Sequence, residues 1–246
     1  MRWARTLAGC ALLLGFAGAA HAQNGCARLS WGTCDPWVED RNYTGPAVYP
    51  LVYSMFGVSA ANVGTDSQIR IRHFNFPGAG GYSTPDAWRF DDSGCQGGSQ
   101  LSLNNNPLSK ACPAMKGTNP LTITQYALDV DGSAFLRLAI TYDNFTPSAS
   151  TRYTVWNILF DHSFSTVGPS DPGNTCGGAE LCENFSFDFA GVLAVTGQLI
   201  NLPACDRDVY YGAFDGTVAL WNGGCVIFDP ADLTTWGKVK AHYRGQ

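Results

Sequence analysis

The sequence predicts an all-β protein: a disulfide-stapled β-sandwich, jelly-roll or Ig-like (immunoglobulin-like), with a short C-terminal helix. Apolar and polar residues mostly alternate with a period of two, as in strands that bury one face. Glycine, proline and asparagine separate these short runs, which is typical of sandwiches and jelly rolls. Eight of the nine cysteines follow a predicted export signal, and an even number is typical of secreted domains held by disulfides.

One run shows the alternation most clearly. Ile69 and Ile71 lie on one face of this predicted strand together with His73, whereas Arg70 and Arg72 lie on the other. The ten predicted strands cover residues 47–56, 68–74, 99–103, 121–130, 133–142, 152–161, 184–189, 192–200, 209–213 and 217–221.

Two Asp-Gly pairs predict hairpin turns, because glycine readily adopts the positive φ that a two-residue turn requires. They are Asp131-Gly132 and Asp215-Gly216. The run from Asp129 to Gly132 also resembles a calcium loop, but it lacks a third ligand before the glycine and a glutamate after it. A turn without calcium is therefore predicted here.

The predicted helix lies at the C-terminus, where Asp232 or Thr234 could cap it. Trp236, Val239 and Tyr243 follow at spacings of three and four, which forms one apolar stripe. This stripe is expected to cover an edge or an end of the sheets.

The first 22 residues have the layout of a secretory signal. Arg2 and Arg5 precede an apolar stretch, and small residues end at Ala22, where cleavage is expected. Leu7 to Cys10 also has the form of a lipoprotein box, but most of the apolar residues follow Cys10 rather than precede it. We therefore predict a secreted, periplasmic or cell-surface protein whose residues 23–246 form a single domain.

The mature chain is predicted to be acidic. Without residues 1–22 it has 13 basic and 20 acidic residues, a formal charge of −7. Nucleic acids and anionic membranes require clustered basic residues, whereas those of this chain are scattered, so neither partner is expected. No later segment approaches the roughly 20 apolar residues of a membrane-spanning helix.

The cysteines are predicted to pair with their neighbours in sequence, because each such pair would bracket a loop or hairpin. Eight cysteines permit about 105 connectivities, so other pairings stay open. Zinc is not expected, because the shortest spacing, Cys176 to Cys182, is longer than C-x-x-C. The predicted pairs are Cys26–Cys34, Cys95–Cys112, Cys176–Cys182 and Cys205–Cys225.

No catalytic residues and no cofactor are predicted. Glycoside hydrolysis needs two carboxyl groups across a cleft, and the candidates are aspartates beside Trp88 or at the end of a strand. A serine hydrolase is disfavoured because no G-x-S-x-G elbow occurs. Asp161 and His162 would also point to opposite faces of a strand. The candidate acids are Asp86, Asp91, Asp92 and Asp161.

Large aromatic residues are the other candidates for a function. Trp37, Trp88 and Trp221 could form a platform on which sugar rings stack. The leading hypothesis is therefore a non-catalytic structural or adhesive protein that binds glycan or another surface protein. The alternatives are a secreted hydrolase that uses the aspartates and an envelope assembly partner with an unpaired strand edge.

Several segments resemble a family of uncharacterised exported bacterial proteins. Residues 235–244 are similar to its closing T-W-G-x-[VI]-K-x-x-Y-R, and residues 85–90 are similar to its P-D-x-W-x-F segment before Gly-Cys. The resemblance implies a secreted, disulfide-containing β-sandwich without an assigned activity. This chain departs from the family at Leu181, where a proline is usual, and at Cys34, whose family counterpart pairs downstream.

Overall fold

The computed structural model describes residues 25–73, 84–97, 100–104, 112–115, 121–171, 175–205 and 219–223, with the backbone alone at 121–124. The predicted signal peptide, the Asp215-Gly216 hairpin and the C-terminal helix lie outside these residues. The strands are β1 (Cys26–Trp31), β2 (Asp40–Arg41), β3 (Val48–Phe56), β4 (Asn62–Arg72), β5 (Leu101–Asn104), β6 (Leu121–Leu128), β7 (Ala134–Phe145), β8 (Tyr153–Asp161), β9 (Glu183–Ala194), β10 (Leu199–Asn201) and β11 (Ala219–Trp221).

These strands form two sheets, which confirms the predicted β-sandwich. The smaller sheet has the order β1-β3-β8-β5, and the larger has the order β2-β11-β9-β4-β7-β6 with β10 paired to β9. The main apolar cluster takes buried side chains from both sheets. A 3-10 turn at Asp86–Trp88 is the helical element of the described residues, and none of their helices could cross a membrane.

The alternation predicted for β4 is confirmed. Ile69 and Ile71 are buried in the core, and His73 beyond the strand end is also buried. Arg70 and Arg72 lie on the opposite face, where both form ion pairs with Asp188 of β9. The larger sheet therefore buries one apolar face and presents a charged outer face.

Arg70 joins three strands on that outer face. Its Nε donates to Asp188 at 2.9 Å and its Nη1 contacts Asp129. This contact lowers the pKa of the Asp129 carboxyl. Asp129 therefore serves as an ion-pair partner in the turn after β6, and the nearby Asp131 accepts from Ser133 at 2.9 Å. These contacts agree with the prediction of a turn at this position.

Several predicted boundaries differ from the structure; β4, for example, begins at Asn62 rather than at residue 68. Residues 184–189 and 192–200 were predicted as separate strands, but β9 runs without interruption through Gly191. A Cβ at Gly191 would lie 2.8 Å from the Leu199 side chain, so this glycine permits close approach of β10. The β6–β7 connection spans residues 129–133, longer than predicted, with Gly132 at φ 84°.

The neighbour pairing of cysteines is wrong. The structure pairs residues that are 179, 78 and 81 positions apart. Cys182 is also disulfide-bonded, and it is not bonded to Cys176. The three pairs described are Cys26–Cys205, Cys34–Cys112 and Cys95–Cys176.

The sandwich topology explains this correction. Cys26 begins β1, and the main chain of Ala27 bonds to residues 203 and 205, so the partner of Cys26 comes from the far end of the chain. Cys34 and Cys112 form a small buried cluster with Val52 of β3, separate from the main core. The disulfides therefore join segments that are adjacent in the fold and distant in sequence.

Candidate functional site

The proposed tryptophan platform is wrong for two of its three members. Trp88 and Trp221 are 0% exposed, and their rings meet edge to face with centroids 5.1 Å apart. The Trp221 Nε1 donates to the Ala179 carbonyl at 2.8 Å. Both residues are core residues, because the 3-10 turn and β11 direct them between the sheets.

Trp37 is half-buried, and its ring already has a partner. The Arg28 guanidinium lies over this ring at 4.9 Å, and the Trp37 Nε1 donates to the Leu29 carbonyl at 3.0 Å. This ring packs over the end of β1 in the structure. The three predicted platform residues therefore do not converge on one exposed surface.

A buried polar group lies beside the tryptophans instead. His162 directly follows β8, and its main-chain N–H bonds to the Ala47 carbonyl at 2.9 Å. Its Nδ1 lies 2.7 Å from the Ser165 Oγ, which also accepts from the Gln96 side chain. The imidazole centroid lies 4.5 Å from that of Trp88, so His162 is enclosed by aromatic rings.

His162 and Ser165 have the residue types of a base and a nucleophile, but the site cannot admit a substrate. Both side chains are 0% exposed. Burial lowers the pKa of His162 to about 3, so its ring is neutral at physiological pH. Asp161, which could orient a catalytic histidine, accepts a hydrogen bond from the Ser163 main chain at 2.9 Å. His162 is therefore a hydrogen-bonded core residue.

A second buried group was missed by the sequence reasoning. Glu183 opens β9, is 0% exposed, and places its Oε1 3.4 Å from the His73 Nδ1. That His73 nitrogen also lies 2.8 Å from the Cys182 carbonyl. Burial raises the pKa of Glu183 well above its ordinary value. The missed signal was the period-two series Glu183, Phe185, Phe187, which places the glutamate on the inward face.

These two groups predict opposite effects of pH on stability. His162 has a folded pKa of about 3 against an ordinary 6.5, so its stabilising contribution is lost as the pH falls below 6.5. Glu183 has a folded pKa raised above the ordinary 4.5, so its contribution is lost as the pH rises above 4.5. We expect the free energy of unfolding to fall on both sides of the interval between these values.

Urea unfolding measured from acid to alkaline pH checks this expectation. Each group should change the free energy of unfolding by about 1.4 kcal/mol per pH unit in its own window. Glu183→Gln should remove the decline that begins above pH 6.5, and His162→Gln should reduce the decline at acid pH. A decline above pH 6.5 that is unchanged in Glu183→Gln would contradict the assignment.

The aspartates proposed for hydrolysis are held in surface contacts. Asp91 accepts from Arg89 at 2.7 and 2.9 Å, and these bonds lower the pKa of its carboxyl. Asp86 accepts from Ser170, and Asp161 accepts from Ser163 in the turn after β8. Each of these three carboxylates thus has a local partner of its own, and a lowered pKa at Asp91 is opposite to what a general acid needs.

A surface cleft of about 660 Å³ lies close to Asp91. It opens between β5, at one edge of the smaller sheet, and β6, at one edge of the larger. One wall is apolar and the turn after Phe90 contributes carboxylates. The lining residues are Phe90, Asp91, Asp92, Ser93, Leu101, Tyr126, Ala127 and Leu128.

The Tyr126 hydroxyl fixes one wall of this cleft. It donates to the Trp88 carbonyl, and burial raises the pKa of the phenol. Tyr126 also contacts Phe90 edge to face, with centroids 5.9 Å apart. The cleft is thus built on the core, and its acids can accept hydrogen bonds from a ligand. Among the described residues no three His, Cys, Asp or Glu side chains converge as a metal site requires.

The fold and these sites define a disulfide-bonded, two-sheet β-sandwich protein. No family model matches the chain, and no curated protein matches it. Among solved structures it is similar to cohesin modules. One belongs to a family 33 glycoside hydrolase of Clostridium perfringens, with 8% identity over 80% of this chain and 93% of that chain, at a TM-score of 0.36.

Two further cohesins match in the same way. The sixth cohesin of Acetivibrio cellulolyticus scaffoldin B, solved with a Cel5 dockerin, is 14% identical over 80% of this chain and 98% of that one, at a TM-score of 0.34. A non-cellulosomal cohesin of Archaeoglobus fulgidus is 8% identical over 89% and 97%, at a TM-score of 0.29. Likenesses at such low TM-scores do not indicate what this chain binds.

Proposed function

We propose that the protein is a non-catalytic structural or adhesive β-sandwich of the cell exterior. The observation that supports this most directly is the placement of its titratable groups. Two side chains whose residue types could transfer a proton, His162 and Glu183, are sealed in the core. The surface acids that were candidates for catalysis, such as Asp91, are held by hydrogen bonds instead.

The hydrolase alternative is tested by assaying the purified chain on a panel of chromogenic glycosides and esters. We expect no turnover above the buffer rate. Asp91→Asn and Asp92→Asn serve as the diagnostic variants, because they keep the shape of the turn and remove the carboxylates. Turnover that is lost in either variant would overturn the proposal.

Glycan binding is a second candidate, and the cleft between β5 and β6 favours it. Sugars are bound by side chains that offer an apolar surface together with hydrogen-bond acceptors. Leu101 and Tyr126 supply the first, and Asp91 and Asp92 supply the second. The lowered pKa of Asp91 keeps its carboxylate ionised and able to accept from hydroxyl groups.

A glycan array of the mature chain tests this candidate, with Asp92→Ala and Leu128→Ala as cleft variants. A bound glycan should lose about five- to thirtyfold of its affinity in each, because each variant removes a contact worth about 1 to 2 kcal/mol. Val130→Ala is the matched control, since this side chain is fully exposed on the adjoining turn and does not line the cleft. Equal loss in the control would reject the cleft as the binding site.

A further inference from the structure

Three large apolar side chains are exposed on the connection between β8 and β9. Phe164 is 54% exposed, Val167 is 63% exposed and Leu181 is 38% exposed. The first two lie in the loop after β8, and Leu181 lies just before β9. We call these three residues the loop patch. Exposed apolar residues that cluster on an otherwise polar monomer are typical of sites that bind another protein.

Main-chain hydrogen bonds hold the first and last parts of this connection side by side. The Cys176 N–H donates to the Phe164 carbonyl at 2.9 Å, and the Gly178 N–H donates to the Gly168 carbonyl at 2.9 Å. A Cβ at Gly177 would lie 2.3 Å from the Gly168 oxygen, so glycine is required for this contact. Val167 and Leu181 therefore flank a closely packed pair of segments.

Further contacts anchor the β8–β9 connection to the rest of the fold. Cys176 is bonded to Cys95, and the Trp221 and Asn222 side chains both donate to the Ala179 carbonyl, at 2.8 and 2.9 Å. A surface that is ordered before binding loses little conformational entropy when a partner docks. The loop patch therefore suits recognition without rearrangement.

The charge around the loop patch has a single sign along this part of the chain. Between Arg152 and Arg207 the sequence contains no lysine or arginine. Three carboxylates outside the core lie at the start of or within the β8–β9 connection, namely Asp161, Asp171 and Glu180, whereas Glu183 is buried and Asp188 is paired with Arg70 and Arg72. Asp161 precedes Phe164 by three residues, and Glu180 adjoins Leu181, with its Oε1 accepting from the Gly168 N–H at 2.8 Å. Arg41 belongs to the neighbouring strand β2, where its guanidinium lies over the Tyr49 ring.

We propose that the loop patch is a docking surface for a protein segment that presents an apolar side chain flanked by lysine or arginine. The inference rests on the proposed adhesive role and names its partner class. Apolar contact with Phe164 and Leu181 would supply affinity, and the surrounding carboxylates would select a basic partner and speed its association.

Selection from a displayed library of random peptides tests this proposal. The oxidised wild-type protein is the target. The double variant Phe164→Ser/Leu181→Ser serves as the comparison protein for the enriched peptides. Enriched peptides should combine an apolar residue with two or more basic ones, and should bind this variant about tenfold more weakly. Asp161→Asn/Glu180→Gln keeps the turn acceptors but removes both charges, and it should weaken binding at low salt, with the difference shrinking as salt rises.

Val195→Ser is the matched control, because this side chain is 52% exposed in the turn between β9 and β10. It should bind selected peptides as the wild type does. Enriched peptides without basic residues, equal binding to Phe164→Ser/Leu181→Ser, or no enrichment at all would overturn the proposal. The turnover assay tests the non-catalytic role separately, so failure here would leave that assignment standing.

Discussion

Replacing Trp88 by alanine is expected to destabilise the fold by about 4 to 5 kcal/mol. Its side chain is fully buried, and its ring meets five others with centroids 4.5 to 6.2 Å away. Removal of the indole would leave a cavity at the junction of the two sheets. Small domains have a net stability of about 5 to 15 kcal/mol, so the variant would lose at least about a third of such a margin.

Urea unfolding followed by circular dichroism measures this change, and two further variants make it specific. Trp88→Phe should cost about 2 kcal/mol, because it retains a ring and the Trp88 Nε1 has no hydrogen-bond partner among the described residues. Trp37→Ala should cost about 1 kcal/mol, because this ring is only half-buried. Equal losses for Trp37→Ala and Trp88→Ala would show that the core does not centre on Trp88.

Loss of the Cys26–Cys205 disulfide is expected to have the second large effect. The loop it closes spans 179 residues, and loop-closure entropy assigns about 5 kcal/mol to a loop of this length. Cys26→Ala/Cys205→Ala should therefore lower the thermal midpoint by about 10 to 15 °C. Differential scanning calorimetry of the oxidised protein measures the shift.

Cys34→Ala/Cys112→Ala is the comparison, because its loop spans 78 residues. By loop-closure entropy alone, Cys34–Cys112 should contribute less stability than Cys26–Cys205, but the difference should be under about 1 kcal/mol. It also opens the small buried cluster around Val52, so the two double variants should lose similar stability. If the Cys26–Cys205 variant melts within about 2 °C of the wild type, the disulfide contributes little and the β1 contacts alone hold the chain.

The sequence was sufficient for most individual strands. β3, β7 and β8 follow the predicted runs closely, because a strand with one buried face displays its alternation in the sequence. β1 is not among the predicted strands, although Ala27 and Leu29 alternate in the same way. The prediction divides β9 at residues 190–191, where the structure uses Gly191 for close approach of β10 and not for a turn.

The candidate sites depended on tertiary structure and were mostly not predicted. Tryptophan occurs both in sugar-binding surfaces and in protein cores, so the identity of Trp88 and Trp221 does not decide between the two. Only the packing of the sheets shows that these residues are buried. The burial of Ser165 and Glu183 likewise depends on loops that come from other parts of the chain. The disulfide pairs could not be read from spacing, because strand order, which brings Cys26 next to residue 205, is a property of the whole fold.

The disulfide pattern also constrains how the molecule can be made. Cysteines emerge from the ribosome in sequence order, so Cys26 and Cys34 appear together long before Cys205. The first disulfide that could form during synthesis therefore joins Cys26 to Cys34, and the folded protein does not contain this bond. Thiol–disulfide exchange must undo any such early bond. Correct maturation thus requires either delayed oxidation or a catalyst that reshuffles disulfides, and recombinant production needs a compartment that supplies one of them.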